Sequence, residues 1–370
     1  MVDTTKTICH ITSAHKRYDI RIFVKECTSL AEFGYKVYLI VADGLGDEIK
    51  NNIHILDVGK PSGRFSRMLK TPRLIYSKLL ELQPDIIHFH DPELMLMCRR
   101  LANKGFGVIY DVHEDLPKQV MNKYWIPKFF RPLVSYGVTL LEKLCTQKYR
   151  GIVTATPIIA TRFSKYNTRV DAVCNYPLLS ELANVNVEWN TRDDKLCYIG
   201  SISKTRGIEH VIESLATSKL PLELAGLFSG DVSLEQLAKL SGNEFVNYQG
   251  VLNREEIVDL LKKVKIGLVT LLPTPSYIES LPIKLFEYML AGIPVIASDF
   301  ALWHDIIKTN DCGILVDPNN INAIANACIF LMNNQDKANQ MGKNGRNAVI
   351  KYYNWENEAE KLKAFYRTIE

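Results

Sequence analysis

At 370 residues the chain is longer than one ordinary domain, and 47% apolar residues can fill two cores. A net charge of +4 is too mild to argue for a nucleic-acid partner. Eight scattered cysteines without a C-x-x-C pair read as thiols of a reducing compartment rather than a zinc or disulfide framework.

The N-terminal residues lack the apolar stretch of a signal peptide, and no run approaches the roughly 20 apolar residues that cross a bilayer. The expectation is a cytoplasmic protein, or one peripheral on the inner face of the cytoplasmic membrane.

Short apolar runs at 8–11, 37–41, 53–56, 86–89, 108–112 and 152–155 predict strands covered on both faces, with a further extended piece at 170–175. Residues 22–33 read as a helix closed by Gly34, which gives the β-α-β rhythm of a doubly wound sheet. The loop after the first strand, T-S-A-H-K-R-Y-D-I-R-I-F, offers His15, Asp19 and Arg21. His88 and His90 share one strand face; without a Cys/His cluster of zinc spacing nearby they read as structural or site-lining, not metal-binding. Y-D-V-H-E-D ends the 108–112 strand at the edge where open α/β sheets bind ligands, which singles out His113. Residues 118–150 hold seven basic side chains against one acid, Glu142, interleaved with Trp125, Phe129, Phe130, Leu133, Tyr136 and Leu140. That pattern suits either an anionic lipid surface or a core helix with solvated lysines.

Residues 175–194 break the rhythm as a linker, and strands resume at 196–199, 222–225, 246–248, 266–270, 295–297 and 314–316. The loop G-S-I-S-K-T-R-G, Gly200 to Gly207, follows a strand and opens a helix, with Lys204 and Arg206 beside its amides. Y-I-E-S-L-P-I-K-L-F-E-Y-M-L-A-G-I-P-V-I-A-S-D follows at 277–299. Pro282 starts a helix over 283–290, Gly292 and Pro294 stop it, and Glu279 and Glu287 flank the amides of Leu281, Ile283 and Lys284. Asn354 can cap a last helix whose apolar face is Ala359, Leu362, Phe365, Tyr366 and Ile369.

The 277–299 stretch resembles the donor-site signature of retaining glycosyltransferases of family 4, which have the GT-B architecture: two Rossmann-like doubly wound α/β domains facing a cleft, with a C-terminal helix crossing back to the first. The expected domains are 1–178 (acceptor side), 179–353 (donor side) and the helix 354–370. The resemblance gives Glu279 to the donor sugar, Glu287 to the ribose, and the amides of Leu281, Ile283 and Lys284 to the diphosphate. It places Gly200, Ser201, Lys204 and Arg206 at the phosphates and His113 at the sugar, with Glu279, Arg206 and His113 as the catalytic set. His15, Asp19 and Arg21 fall on the acceptor side. The chain departs from the family where Ser201 stands in place of Arg, where Leu281-Pro282 replaces Phe-Gly, and where the first loop lacks Gly-Gly.

The function so implied is metal-independent, cofactor-free, retaining transfer of a hexosyl or N-acetylhexosaminyl group from a nucleotide diphosphate sugar, UDP-linked by default. The acceptor would be a glycan or lipid-linked hydroxyl in polysaccharide or O-antigen synthesis. The absence of any D-x-D motif agrees with diphosphate binding by amides and cations. The alternatives are a nucleotide-sugar epimerase or hydrolase on the same scaffold, and a non-catalytic nucleotide-sugar-binding partner.

Overall fold

The computed structural model describes residues 5–123, 126–182 and 188–369. The chain divides into two compact units, residues 1–175 with 358–370 and residues 176–357. The first boundary therefore lies ahead of most of the predicted linker, and the C-terminal segment belongs to the first unit.

In the first unit the strands are β1 (Thr7–Ile11), β2 (Lys36–Val41), β3 (Glu48–Lys50), β4 (Ile53–Asp57), β5 (Ile86–Phe89), β6 (Gly107–Val112), β7 (Gly151–Thr154) and β8 (Val170–Ala172). They form one sheet in the order β3-β4-β2-β1-β5-β6-β7-β8. All pairs are parallel except β3 with β4. β5, β6 and β7 are buried along their whole length, as continuous apolar strands between helical layers should be. β3 was not foreseen: Glu-Ile-Lys is short, and its Ile49 is exposed.

The predicted 22–33 helix is a different object. Residues Ile20–Cys27 form a π-helix and only Thr28–Glu32 is an α-helix. Asp19 starts it, its side chain accepting from the amides of Arg21 (2.9 Å) and Ile22 (3.0 Å), while Val24 N reaches the Asp19 carbonyl five residues back. The widened turn brings residues five apart onto one side, so Arg21 and Glu26 both point into the unit.

The last helix, Trp355–Ile369, starts with Asn354 Oδ1 accepting from Asn357 N at 2.9 Å. Its expected apolar face is buried, and from Glu358 onward it packs within the first unit. Cys174 N donates to Glu358 Oε2 (2.8 Å), and Phe365 lies against Gly151, where a Cβ would come within 2.5 Å of the ring.

The second unit holds β9 (Leu196–Ile199), β10 (Leu222–Ala225), β11 (Val246–Tyr248), β12 (Ile266–Val269), β13 (Val295–Ser298) and β14 (Gly313–Val316). They form a wholly parallel sheet in the order β11-β10-β9-β12-β13-β14. Tyr288 fixes the Ile283–Leu290 helix to this sheet. Its ring fills the space over Gly267, and its hydroxyl accepts from Ile199 N at 2.8 Å.

Candidate active site

In the second unit two loops leave the carboxyl ends of neighbouring strands β9 and β12. Gly207 has φ +75°, and a Cβ there would lie 2.1 Å from the Thr270 carbonyl oxygen. Only glycine allows the 200–207 loop that close to the chain following β12. Arg206 folds back towards Gly200 and faces the Tyr277 ring at 5.9 Å. Lys204 pairs with Glu209 (3.2 Å) and Lys284 with Glu287 (2.7 Å). Both lysines are thus engaged locally, and among the described residues Arg206 has no carboxylate in ion-pair range.

The Ile283–Leu290 helix begins without a side-chain cap, so no capping side chain takes up its first-turn amides. Trp303 Nε1 donates to Ser280 O (2.7 Å) and Ser280 Oγ to Tyr277 O (2.9 Å), which hold the preceding loop. Glu287 is buried. Burial opposes its ionisation, but Lys284 and Arg254 (Nη1 to Oε1, 2.6 Å) outweigh this and hold the carboxyl below its ordinary range. Arg254 also pairs with Glu181. The sequence reading missed Arg254 because nothing local distinguishes a first-turn arginine from a solvated one.

In the first unit the loops after adjacent strands β1, β5 and β6 meet. Asp91 Oδ2 accepts from Thr12 Oγ1 and Ser13 N, each at 2.7 Å, tying the first loop to the end of β5. His15 lies between Asp19 (3.3 Å) and Asp91 (3.5 Å); burial lowers its basicity, but the two carboxylates outweigh that and raise it. His113 sits with Nε2 3.0 Å from Asp111 Oδ2 and 3.1 Å from His90 Nδ1.

Arg21 requires a correction. It is buried, clasps Asp111 (Nε to Oδ2 2.9 Å, Nη2 to Oδ1 2.8 Å) and donates to Val173 O, so its guanidinium does not face an acceptor. His90 fits the structural or site-lining reading, whereas Asp111 and His10 were not foreseen as site residues; the available signal was polar side chains within otherwise apolar strands. His10, Glu26 and His88, and likewise His90, Asp111 and His113, bring ligand-type atoms within 4.8 Å of one another. The Arg21 guanidinium lies against the carboxylate of each group, 3.1 Å from Glu26 and 2.8 Å from Asp111.

In the helix Arg131–Thr146 and the turn before it, Phe129 (82%), Leu133 (67%) and Tyr136 (69%) are exposed. Glu142, the one acid of the stretch, is instead buried against Arg162. Trp125 lies outside the described residues.

Two parallel-stranded α/β units with ligand-type loops at their strand ends define the class: the GT-B fold. The chain belongs to the family 4 glycosyltransferases, since residues 22–175 match the model "Glycosyltransferase Family 4" and residues 181–348 match "Glycosyl transferases group 1". It is similar to the MMP alpha-(1->4)-mannosyltransferase of Mycolicibacterium hassiacum, at 21% identity over 72% of this chain and 66% of that protein. It is also similar to the O-antigen chain mannosyltransferase C of Escherichia coli, at 22% identity over 71% of this chain and 69% of that one. The likeness thus spans about two thirds of these curated relatives' own length. A solved Anabaena structure, Alr3699/HepE in complex with UDP and glucose, superposes with TM-score 0.74 at 12% identity, covering 98% of this chain and 100% of that one.

Proposed function

We propose that the protein is a retaining glycosyltransferase that moves a sugar from a nucleotide diphosphate donor to a hydroxyl of a glycan or lipid-linked acceptor in polysaccharide or O-antigen synthesis. The observation that carries this is the uncapped helix start at Ile283, with Glu279 ahead of it, Glu287 within it and Arg206 on the facing loop. Amide dipoles and a cation with no ion-pair partner among the described residues favour a diphosphate. Glu287, kept ionised by Lys284 and Arg254, is an acceptor for ribose hydroxyls. Glu279 acts on the sugar hydroxyls, and Gly200, Ser201 and Lys204 line the phosphates.

His113 orients the sugar, with His15 and Asp19 on the acceptor side. The leaving diphosphate is stabilised by Arg206 and the helix amides, without a metal. With Glu287 on the ribose no second carboxylate remains for a covalent sugar intermediate, so the acceptor attacks the face the phosphate leaves, its proton passing to the departing phosphate oxygen.

A uridine donor is the first expectation, in keeping with the Anabaena neighbour bound to UDP. Thermal-shift screening of UDP- and GDP-sugars, followed by NMR of the product's anomeric centre, tests the proposal. Stabilisation by one nucleotide-sugar class and an α-linked product from an α-donor, unchanged by EDTA, are expected. Inversion, or rapid donor turnover without acceptor, overturns it.

A second reading concerns location. The exposed Phe129, Leu133 and Tyr136 share residues 126–150 with exposed Lys128, Lys143 and Lys148, and no acid of that stretch is exposed among the described residues. This supports peripheral contact with anionic lipid on the inner face of the cytoplasmic membrane.

A further inference from the structure

We infer that Asp111, anchored by Arg21, is a positioning residue that holds the neutral form of the His113 imidazole as the Nε2–H tautomer and so leaves Nδ1 as a hydrogen-bond acceptor for a sugar or acceptor hydroxyl. This rests on the reading of His113 as a site residue given above.

Arg21 cannot lose its charge, and it fills one position on each oxygen of Asp111 at 2.9 and 2.8 Å. An ionised carboxylate only accepts, so each further partner must donate to it. His113 Nε2 lies 3.0 Å from Oδ2 and must carry its proton there; His90 Nδ1 lies 3.2 Å from the same oxygen and must do likewise. The 3.1 Å approach of His90 Nδ1 to His113 Nε2 is then a meeting of two donors at a shared oxygen, not a bond between the rings.

A neutral imidazole carries one N–H, so His90 Nε2 is left as an acceptor. It lies 3.0 Å from His10 Nδ1, which therefore donates, and His10 Nε2 ends the chain as a buried nitrogen with no hydrogen-bond partner among the described residues. Each tautomer in the row His10–His90–His113 is thus fixed by one anion.

The rest of the neighbourhood agrees. Glu26, the other buried carboxylate, has a single guanidinium contact at 3.1 Å, whereas Asp111 has two with Arg21 and two imidazole donors. His15 spends both nitrogens on Asp19 and Asp91, and its ring centroid lies 5.0 Å from that of His113. His113 itself remains 21% exposed. In the folded protein a substrate hydroxyl therefore finds at His113 a fixed lone pair rather than a rotating choice of donor or acceptor.

The test is nitrogen NMR of the full chain labelled at the histidine ring nitrogens, with His113 assigned by its loss in His113→Gln. The expected spectrum has a protonated Nε2 and an unprotonated Nδ1, with scalar coupling only at Nε2. The Nδ1–H tautomer at His113 in the folded wild type overturns the inference, whatever becomes of Asp111→Asn. As a second measurement, Asp111→Asn should lower kcat by about 10- to 100-fold with a smaller change in donor KM, and should shift the His113 tautomer ratio. An unchanged ratio in folded Asp111→Asn also overturns it. Failure of the underlying site reading looks different: His113→Ala would then keep full transferase activity whatever tautomer the spectrum shows.

Discussion

Glu26→Gln should make the protein less sensitive to rising pH, by an amount the structure sets. Glu26 is wholly buried beside Asp111, and the two carboxylates compete for one guanidinium. Burial first, then the Asp111 anion, raise the Glu26 carboxyl well above its ordinary range, while Arg21 only partly offsets them. In the unfolded chain Glu26 loses its proton near pH ~4.3. Between that pH and the folded value the native state holds one proton more, so stability falls as pH rises, at about 1.4 kcal/mol per pH unit. Below ~4.3 both states are protonated and the effect vanishes.

Glutamine has the same volume and cannot ionise, so the variant lacks this slope. Urea unfolding followed by circular dichroism, for wild type and Glu26→Gln at about pH 5 and about pH 6, should show the gap moving in the variant's favour by about 1.4 kcal/mol. Other groups titrate alike in both proteins and cancel. A gap independent of pH would mean that Glu26 is ionised in the folded protein and that Arg21 outweighs its burial.

Glu287→Gln removes the charge that Lys284 and Arg254 hold in place; donor KM should rise roughly 10-fold or more with a smaller fall in kcat, and an unchanged KM sinks the ribose role. Arg206→Ala should weaken binding of free nucleoside diphosphate by about 1.5–3 kcal/mol, the worth of a charge-assisted contact, as read by calorimetry; equal binding refutes it. Replacing Phe129, Leu133 and Tyr136 together by serine should leave melting nearly unchanged, since all three are exposed, and abolish low-salt pelleting with anionic vesicles. Wild-type protein that does not pellet at low salt ends the membrane reading.

The alternation of continuous apolar strands with amphipathic helices determined the fold by itself. Strands buried on both faces need near-unbroken Val, Ile and Leu, which leaves a mark at the central strands of both sheets, while the edge strands Glu48–Lys50, Val170–Ala172 and Val246–Tyr248 are short and carry polar residues. The donor-side stretch was legible for the same local reason: a proline start and a glycine stop bracket a helix, and two glutamates stand at fixed distances from its tip.

Which charges are free and which are committed was decided only in three dimensions. Lys204 and Arg21 both read as cations available to ligands, yet their partners are Glu209 and the distant Asp111, and the Lys284 side chain is committed to Glu287. The row of histidines also needs β1, β5 and β6 side by side, and Arg21 reaches Asp111 from a π-helical turn that no periodicity in Ile20–Cys27 announces. Periodicity is a local property of the chain. Pairing of buried charge depends on which strands become neighbours, and only the closed sheet settles that.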